Sequence, residues 1–203
     1  MRCALLASFL AAAGMIATAA LSRAADVGSG GFFINGNVGQ SRLDKGTGNG
    51  LDTKFTGNDT GYGVNVGYRW ALNPSVALGF EGGYTRLGNF DPEINFSGLG
   101  IFHTSINGWN AGVNGHFNVS PNWYVSGRAG LFRADIKSSY TQDISAGVVK
   151  VDDTSNKYYA GAGVGYDFSN NLSIGLNYDY YKVNRGGLNF NPDLVSVSAE
   201  FRF

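Results

Sequence analysis

From Leu194 to Phe203 hydrophobic and polar residues alternate without a break. Val195, Val197, Ala199, Phe201 and Phe203 fall on one side, and Ser196, Ser198, Glu200 and Arg202 on the other. Side chains of a strand alternate with a period of two, so the pattern predicts a strand with one apolar and one polar face. In water an exposed apolar strand at a chain end would invite aggregation. In a bilayer the apolar face has lipid to meet and the polar face an enclosed lumen. Seven earlier segments carry the same alternation: Phe32–Ser41, Thr60–Trp70, Val76–Arg86, His103–Phe117, Trp123–Asp135, Tyr158–Phe168 and Leu172–Tyr181. In the second, Tyr62, Val64, Val66, Tyr68 and Trp70 oppose Gly63, Asn65, Gly67 and Arg69.

The connections alternate in length. Ala71–Pro74, Asn118–Asn122 and Ser169–Asn171 are short and rich in turn residues. Arg42–Asp59, Leu87–Phe102, Ile136–Lys157 and Lys182–Asp193 are long and polar. Short turns at one end and long loops at the other are the pattern of an outer-membrane barrel, with the turns periplasmic and the loops extracellular. The expected fold is therefore all-β: a closed eight-stranded antiparallel transmembrane β-barrel, both termini periplasmic. Segments of about 9–11 residues suffice to cross the hydrocarbon when tilted. Aromatic residues cluster at the expected water boundaries, with Phe32, Trp70, Phe117, Trp123, Tyr166, Phe168, Phe201 and Phe203 at the turn side and Tyr62 and Tyr84 at the loop side.

The first residues sharpen the compartment. Arg2 precedes an uncharged small or apolar run from Ala4 to Leu21, and Ser22-Arg23-Ala24 offers small residues at a cleavage site. Residues 1–24 are expected to be a secretory signal peptide and 25–203 the barrel domain. Cys3 lies inside the leader, so no cysteine remains to form disulfides in an oxidising periplasm. With Arg2 and Arg23 gone, the 15 basic residues fall to 13 against 15 acidic ones. That balance argues against a nucleic-acid surface. The 31 glycines, set among 11 Tyr, 14 Phe and 3 Trp, fit a lumen where bulky side chains need small neighbours rather than a disordered chain.

Several runs carry a family resemblance: Gly-Phe-Phe-Ile-Asn-Gly-Asn-Val-Gly-Gln-Ser (31–41), Gly-Tyr-Arg-Trp (67–70), Phe-Glu-Gly-Gly-Tyr (80–84), Gly-Arg-Ala-Gly-Leu (127–131), Asn-Tyr-Asp-Tyr-Tyr (177–181) and the terminal strand. Through them the chain resembles the small eight-stranded outer-membrane barrels of the OmpA/OmpX and opacity-protein type. The resemblance implies fold and place better than function, because one barrel hosts several roles. It implies that the apolar face of the tail, Val197, Ala199, Phe201 and Phe203, is read by the outer-membrane assembly machinery. No periplasmic peptidoglycan-binding domain is expected after Phe203.

Candidate chemistry lies first in the lumen. By parity Glu81, Arg128 and Asp179 point inward near mid-height, with Arg69, Asp167, Glu200 and Arg202 closer to the short turns. A barrel of this size is just filled by side chains, and an unpaired charge inside it would cost several kcal/mol. The resemblance implies a buried network with Glu81 and Arg128 as partners. Its expected role is a satisfied plug, with a gated ion path as the alternative.

A second constellation is His103, Ser105 and Asp135. An unshifted hairpin centred near residue 120 puts Ser105 opposite Asp135, with all three facing outward at the loop-side rim. Phe102-His-Thr-Ser105 resembles the His-x-Ser pair of outer-membrane lipid A deacylases, and a serine nucleophile needs a histidine base steered by a carboxylate. The following Ile106-Asn107-Gly108 departs from that family, so ordinary polar rim residues are the expected role. His116 points into the lumen with too few partners for a metal site. Asp152-Asp153 reads as a solvated pair, and Gly46–Gly50 lacks the lysine and helix of a phosphate loop.

The expected protein is non-catalytic, needs no cofactor or metal, and acts structurally or through four long extracellular loops. Alternatives are a narrow ion or small-solute channel and a lipid A-modifying enzyme. Expected partners are outer-membrane lipid and lipopolysaccharide, the assembly machinery, and a host or surface ligand at the loops.

Overall fold

A computed structural model describes residues 30–48, 51–90, 102–140, 149–185 and 188–203. The leader expected over residues 1–24 lies outside them. The strands in chain order are β1 (Gly31–Gly48), β2 (Leu51–Asn73), β3 (Val76–Phe90), β4 (Phe102–Asn118), β5 (Trp123–Tyr140), β6 (Val149–Asp167), β7 (Leu172–Tyr181), β8 (Val183–Arg185), β9 (Leu188–Phe190) and β10 (Pro192–Arg202). Seven of them, β1 to β7, pair antiparallel with their sequence neighbours, and β10 pairs with both β7 and β1. That last pairing, from Phe33↔Arg202 to Leu43↔Pro192, closes an eight-stranded barrel. The short β8 and β9 pair with each other in the last long connection. Among the described residues no helix is long and apolar enough to cross a membrane.

The alternation that predicts the strands becomes the two surfaces of the wall. Val64, Val66, Phe80, Val113, Leu131, Val164, Leu176 and Val197 are exposed on the outside. Asn65, Glu81, Asn110, Asn114, Asp179, Ser196, Ser198 and Glu200 are buried inside. Exposed apolar residues on this scale have no place in water, and each of the eight barrel strands, β1 to β7 and β10, supplies them on the same face. Near the short turns the outer face carries edge-to-face aromatic contacts. Phe32 meets Tyr68, Tyr68 meets Trp70, Trp123 meets Tyr166, and Phe201 meets Phe203. Toward the long connections Tyr84 meets Trp109. These are the two girdles of a membrane barrel.

Both chain ends of the barrel lie at the turn end, where the Phe203 amide donates to the Phe32 carbonyl at 2.9 Å. At the loop end the strands run further than the hydrophobic pattern suggests. Ladder pairs continue to Gly48↔Leu51 between β1 and β2, and to Tyr140↔Val149 between β5 and β6. Segments expected as long loops over Arg42–Asp59 and Ile136–Lys157 are thus largely strand. The outward apolar row stops where lipid no longer demands it, but backbone pairing needs no such row and carries on beyond it.

Candidate functional site

The lumen is built in layers, beginning at the turn end. Asp167, at the end of β6, gathers four donors. His116 Nε2 lies at 3.2 Å, Asn118 Nδ2 at 3.0 Å, Ser173 Oγ at 2.6 Å and an Arg202 guanidinium nitrogen at 2.6 Å. One carboxylate therefore ties β4, β7 and β10 to β6. The His116 ring stacks on Tyr124 with centroids 4.1 Å apart.

In the next layer Arg69 of β2 grips Glu200 of β10 through two nitrogens, at 2.5 and 2.9 Å. Its Nε donates to Asn114 Oδ1 at 2.5 Å, and its guanidinium sits 4.1 Å from the centre of the Phe33 ring. At mid-height Arg128 donates Nε to Asp179 Oδ1 at 2.6 Å and a terminal nitrogen to Oδ2 at 2.5 Å. Glu81 accepts from the Tyr159 hydroxyl at 2.6 Å. Such two-pronged arginine–carboxylate pairs combine strength with fixed geometry.

The structure therefore corrects the expected partnership. Arg128 pairs with Asp179, not Glu81. Both carboxylates face the lumen, but Gly161 stands in register between Arg128 and Asp179 and leaves the space the pair fills. Glu81 turns instead to a tyrosine that sequence reasoning places only in a strand. Parity puts Tyr159 on the inward face, which was the available signal for that contact.

Parity also carries a signal that polar bookkeeping misses. Toward the loop end the inward positions become apolar: Leu87, Ile106, Phe132, Ala134, Tyr159, Tyr181 and Leu194 pack into one buried cluster. Phe132 and Tyr181 meet edge-to-face at 4.8 Å, and Tyr159 stacks on Tyr181 at 5.9 Å. Above the ion pairs the lumen is thus filled by an apolar layer. Below it, a polar cavity of about 40 Å³ is lined by Arg69, Glu81, Arg128, Asp179 and Glu200 among others.

The outward constellation is rearranged by register. Ser105 faces Lys137, and Asp135 faces Asn107, because partner numbers between β4 and β5 sum to two more than an unshifted turn at 120 implies. The cause is a turn that leaves Asn118 paired with Tyr124. Asp135 is therefore two positions from the place opposite Ser105. His103 pairs with Ser139 along the backbone; its side chain, like those of Asp152 and Asp153, lies outside the described set, as does part of Gly46–Gly50. Among the described residues no group of three or more His, Cys, Asp or Glu is placed to hold a metal.

Val197 and Ala199 of the tail are exposed on the lipid face, Phe201 is partly so, and Phe203 is 68% exposed. Their strand is hydrogen-bonded on both sides.

An outward apolar wall, two aromatic girdles and a charge-filled lumen define an integral barrel of the bacterial outer membrane. The chain belongs to the outer membrane protein beta-barrel domain family, whose pattern matches residues 8–203. A search of curated proteins finds no match. Among solved structures it is similar to Ail, the attachment invasion locus protein of Yersinia pestis, at 18% identity and a TM-score of 0.53, covering 85% of this chain and 99% of that one. It is also similar to Neisserial surface protein A, at 17% identity and a TM-score of 0.51, covering 85% and 97%. The outer membrane protein AlkL matches at 14% identity and a TM-score of 0.54, covering 90% and 94%.

Proposed function

We propose that this barrel is a non-catalytic surface-interaction protein, with its long connections extracellular, its termini periplasmic, and its partner bound at the loop end. One observation carries this reading: the lumen is occupied by paired charges and capped by the apolar cluster around Phe132 and Tyr181. A filled lumen leaves the rim and loops as the surface on which function can sit. β1, β2, β5 and β6 extend this end well past the girdle, which raises the loops above the membrane on paired strands. An Ail structure in complex with the heparin analogue sucrose octasulfate shows that a barrel of similar fold can hold a sulfated sugar.

The test is adhesion. Cells displaying the barrel should bind a surface coated with a heparin-type polysaccharide or host matrix. Replacing residues 91–101 and 141–148 with two-residue turns should abolish binding while the barrel still assembles. Undiminished binding by the shortened barrel would overturn the proposal. Labelling of intact cells at a cysteine placed in either loop would test the orientation separately.

A further inference from the structure

Above the loop-side girdle the wall of the barrel changes polarity. Within the membrane the outward row is apolar and the inward row largely polar. Beyond Trp109 and Leu131 the rungs read the other way. Ile106 and Ile136 share one rung, and Phe102, Tyr140 and Val149 share another, both in the inward register of buried Phe132 and Ala134. The outward rungs among them are polar. Asn89, Ser105, Lys137 and Asp152 make one, and His103, Ser139 and Lys150 the next. Lipid favours apolar residues outside a barrel, and water favours them inside. This upper section therefore has the pattern of a barrel standing in water around an apolar interior.

One cation interrupts that interior. Lys157 of β6 stands opposite Phe132, two residues above buried Tyr159 and at the edge of the apolar cluster that floors this section. It is half-buried. Among the described residues no carboxylate forms an ion pair with it. Glu81 is held by Tyr159, and Asp179 by Arg128. Asp59 lies four strands away on the opposite wall and accepts from the Thr60 and Asn89 amides at 2.7 and 2.6 Å. Asp153 shares the inward register, but four residues further along β6, about 13 Å at ~3.3 Å per residue. Asp135 and Asp193 take the outward register of Arg133 and Tyr180. A half-buried ammonium costs free energy until an opposite charge meets it.

The shape of the section limits what can bring that charge. An eight-stranded ring either fills with its own side chains or holds one small ligand. It is too narrow for a folded partner. The inward rung next above Lys157 carries only small residues, Gly108, Ala134 and Ser155. From Lys157 to Val149 β6 runs about 26 Å of strand at ~3.3 Å per residue. At a strand tilt of about 45° that is roughly 18 Å of height, the depth of one extended aliphatic chain. An amine at the foot of an apolar shaft is complementary to a carboxylate with an apolar tail.

Resting on the orientation proposed above for access from outside, we propose that the loop-end section binds a single-chain fatty acid. Its carboxylate meets the Lys157 ammonium, and its tail lies along the inward rungs of β4, β5 and β6. The ligand sits within the ring and leaves the outer surface of the loops to their own partner.

The experiment uses the full barrel folded in phospholipid nanodiscs. The probes are dodecanoate carrying a photoreactive diazirine on its tail, plain dodecanoate and dodecanol, with labelled residues read by peptide mass spectrometry. Labels should fall within Phe102–Ile106, Ile136–Tyr140 and Val149–Val151, and plain dodecanoate should displace them. Lys157→Met should weaken dodecanoate binding about tenfold, the loss of one charge-assisted contact. Lys157→Arg should retain it, and Lys137→Met, in the outward register, should bind like wild type. Dodecanol should bind wild type about tenfold more weakly than dodecanoate and be indifferent to Lys157→Met. Heat-dependent gel mobility verifies that each variant is folded. If Lys157→Met does not fold, the wild-type protein carries the test: dodecanoate should protect the Lys157 amine from acetylation. Labels confined to the outer row of Leu131, Tyr158 and Leu176 would overturn the proposal. So would equal binding by folded Lys157→Met, dodecanol binding as tightly as dodecanoate, or an unprotected Lys157. Adhesion is not among these readouts, so this reading and the surface-interaction reading fail separately.

Discussion

At the residue scale the lumen depends on what surrounds each charge. Asp179 is fully buried, and both its oxygens are taken by Arg128. Arg128→Ala would leave that carboxylate without its partner, a change that costs about 3–5 kcal/mol when a buried pair is broken. The variant should unfold at clearly lower denaturant. Arg128→Met with Asp179→Asn should be milder, because no buried charge is then orphaned. Pairing Arg128→Met with Glu81→Gln should bring no such relief, since Glu81 is held by Tyr159. Glycine is needed beside this pair for a spatial reason. A methyl group at Gly161 would run into the Asp179 carboxylate and approach the Tyr178 carbonyl within 3.0 Å. Gly161→Ala should therefore cost about 1–3 kcal/mol by overpacking. Gly36→Ala, with nothing within 4 Å of the new methyl, should be close to neutral. Denaturant titrations of the two alanine variants side by side check the contrast.

At the element scale, strand identity was legible because lipid imposes alternation on every crossing segment, and Val64, Val66 and Val197 stand on the outer face where their parity puts them. Strand ends were not legible where the chain leaves lipid. From Ile136 to Tyr140 and Val149 to Thr154 pairing continues, but the apolar positions there, Ile136, Tyr140, Val149 and Val151, have the parity opposite to Leu131 and Tyr158 and so do not prolong the outward stripe. Register was legible to within one step of the pleat. Parity placed Ser105 and Asp135 on the correct face, yet their opposition depended on a turn whose geometry the residues Val119-Ser-Pro-Asn122 did not reveal. Inward direction was legible for Arg128 and Asp179, but partner choice was not, because three strands bring ionisable groups to one height and only side-chain reach decides among them. The tail belongs to this scale as well. β10 offers Val197, Ala199 and Phe201 to lipid, and Phe203 ends the row. Deleting Phe203, or changing it to Asp, should lower outer-membrane insertion and leave protein in the periplasm. Fractionation that finds full levels of folded protein in the outer membrane would count against that role.

For the whole molecule, closure and filling make two separate expectations. A closed ladder resists opening, so unheated protein should run faster on SDS gels than boiled protein; identical mobility would contradict closure. A lumen filled by Phe132, Tyr181 and Leu194 above paired charges should pass no steady ionic current in planar bilayers. Sustained currents from the wild-type protein would make the ion pairs a gate rather than a plug. The Arg69–Glu200 and Arg202–Asp167 contacts bear on how the ring is shut. Slipping one strand past another by a single residue turns its apolar side inward and is rejected by lipid. A slip of two residues keeps every apolar side chain outside and escapes that penalty. In this chain such a slip of β10 would carry Glu200 away from Arg69 and Arg202 away from Asp167, stranding four charges in a lumen with few alternatives. The two pairs thus act as a proofreading key: of the alignments that lipid tolerates, only one lets the final strand turn in its lock.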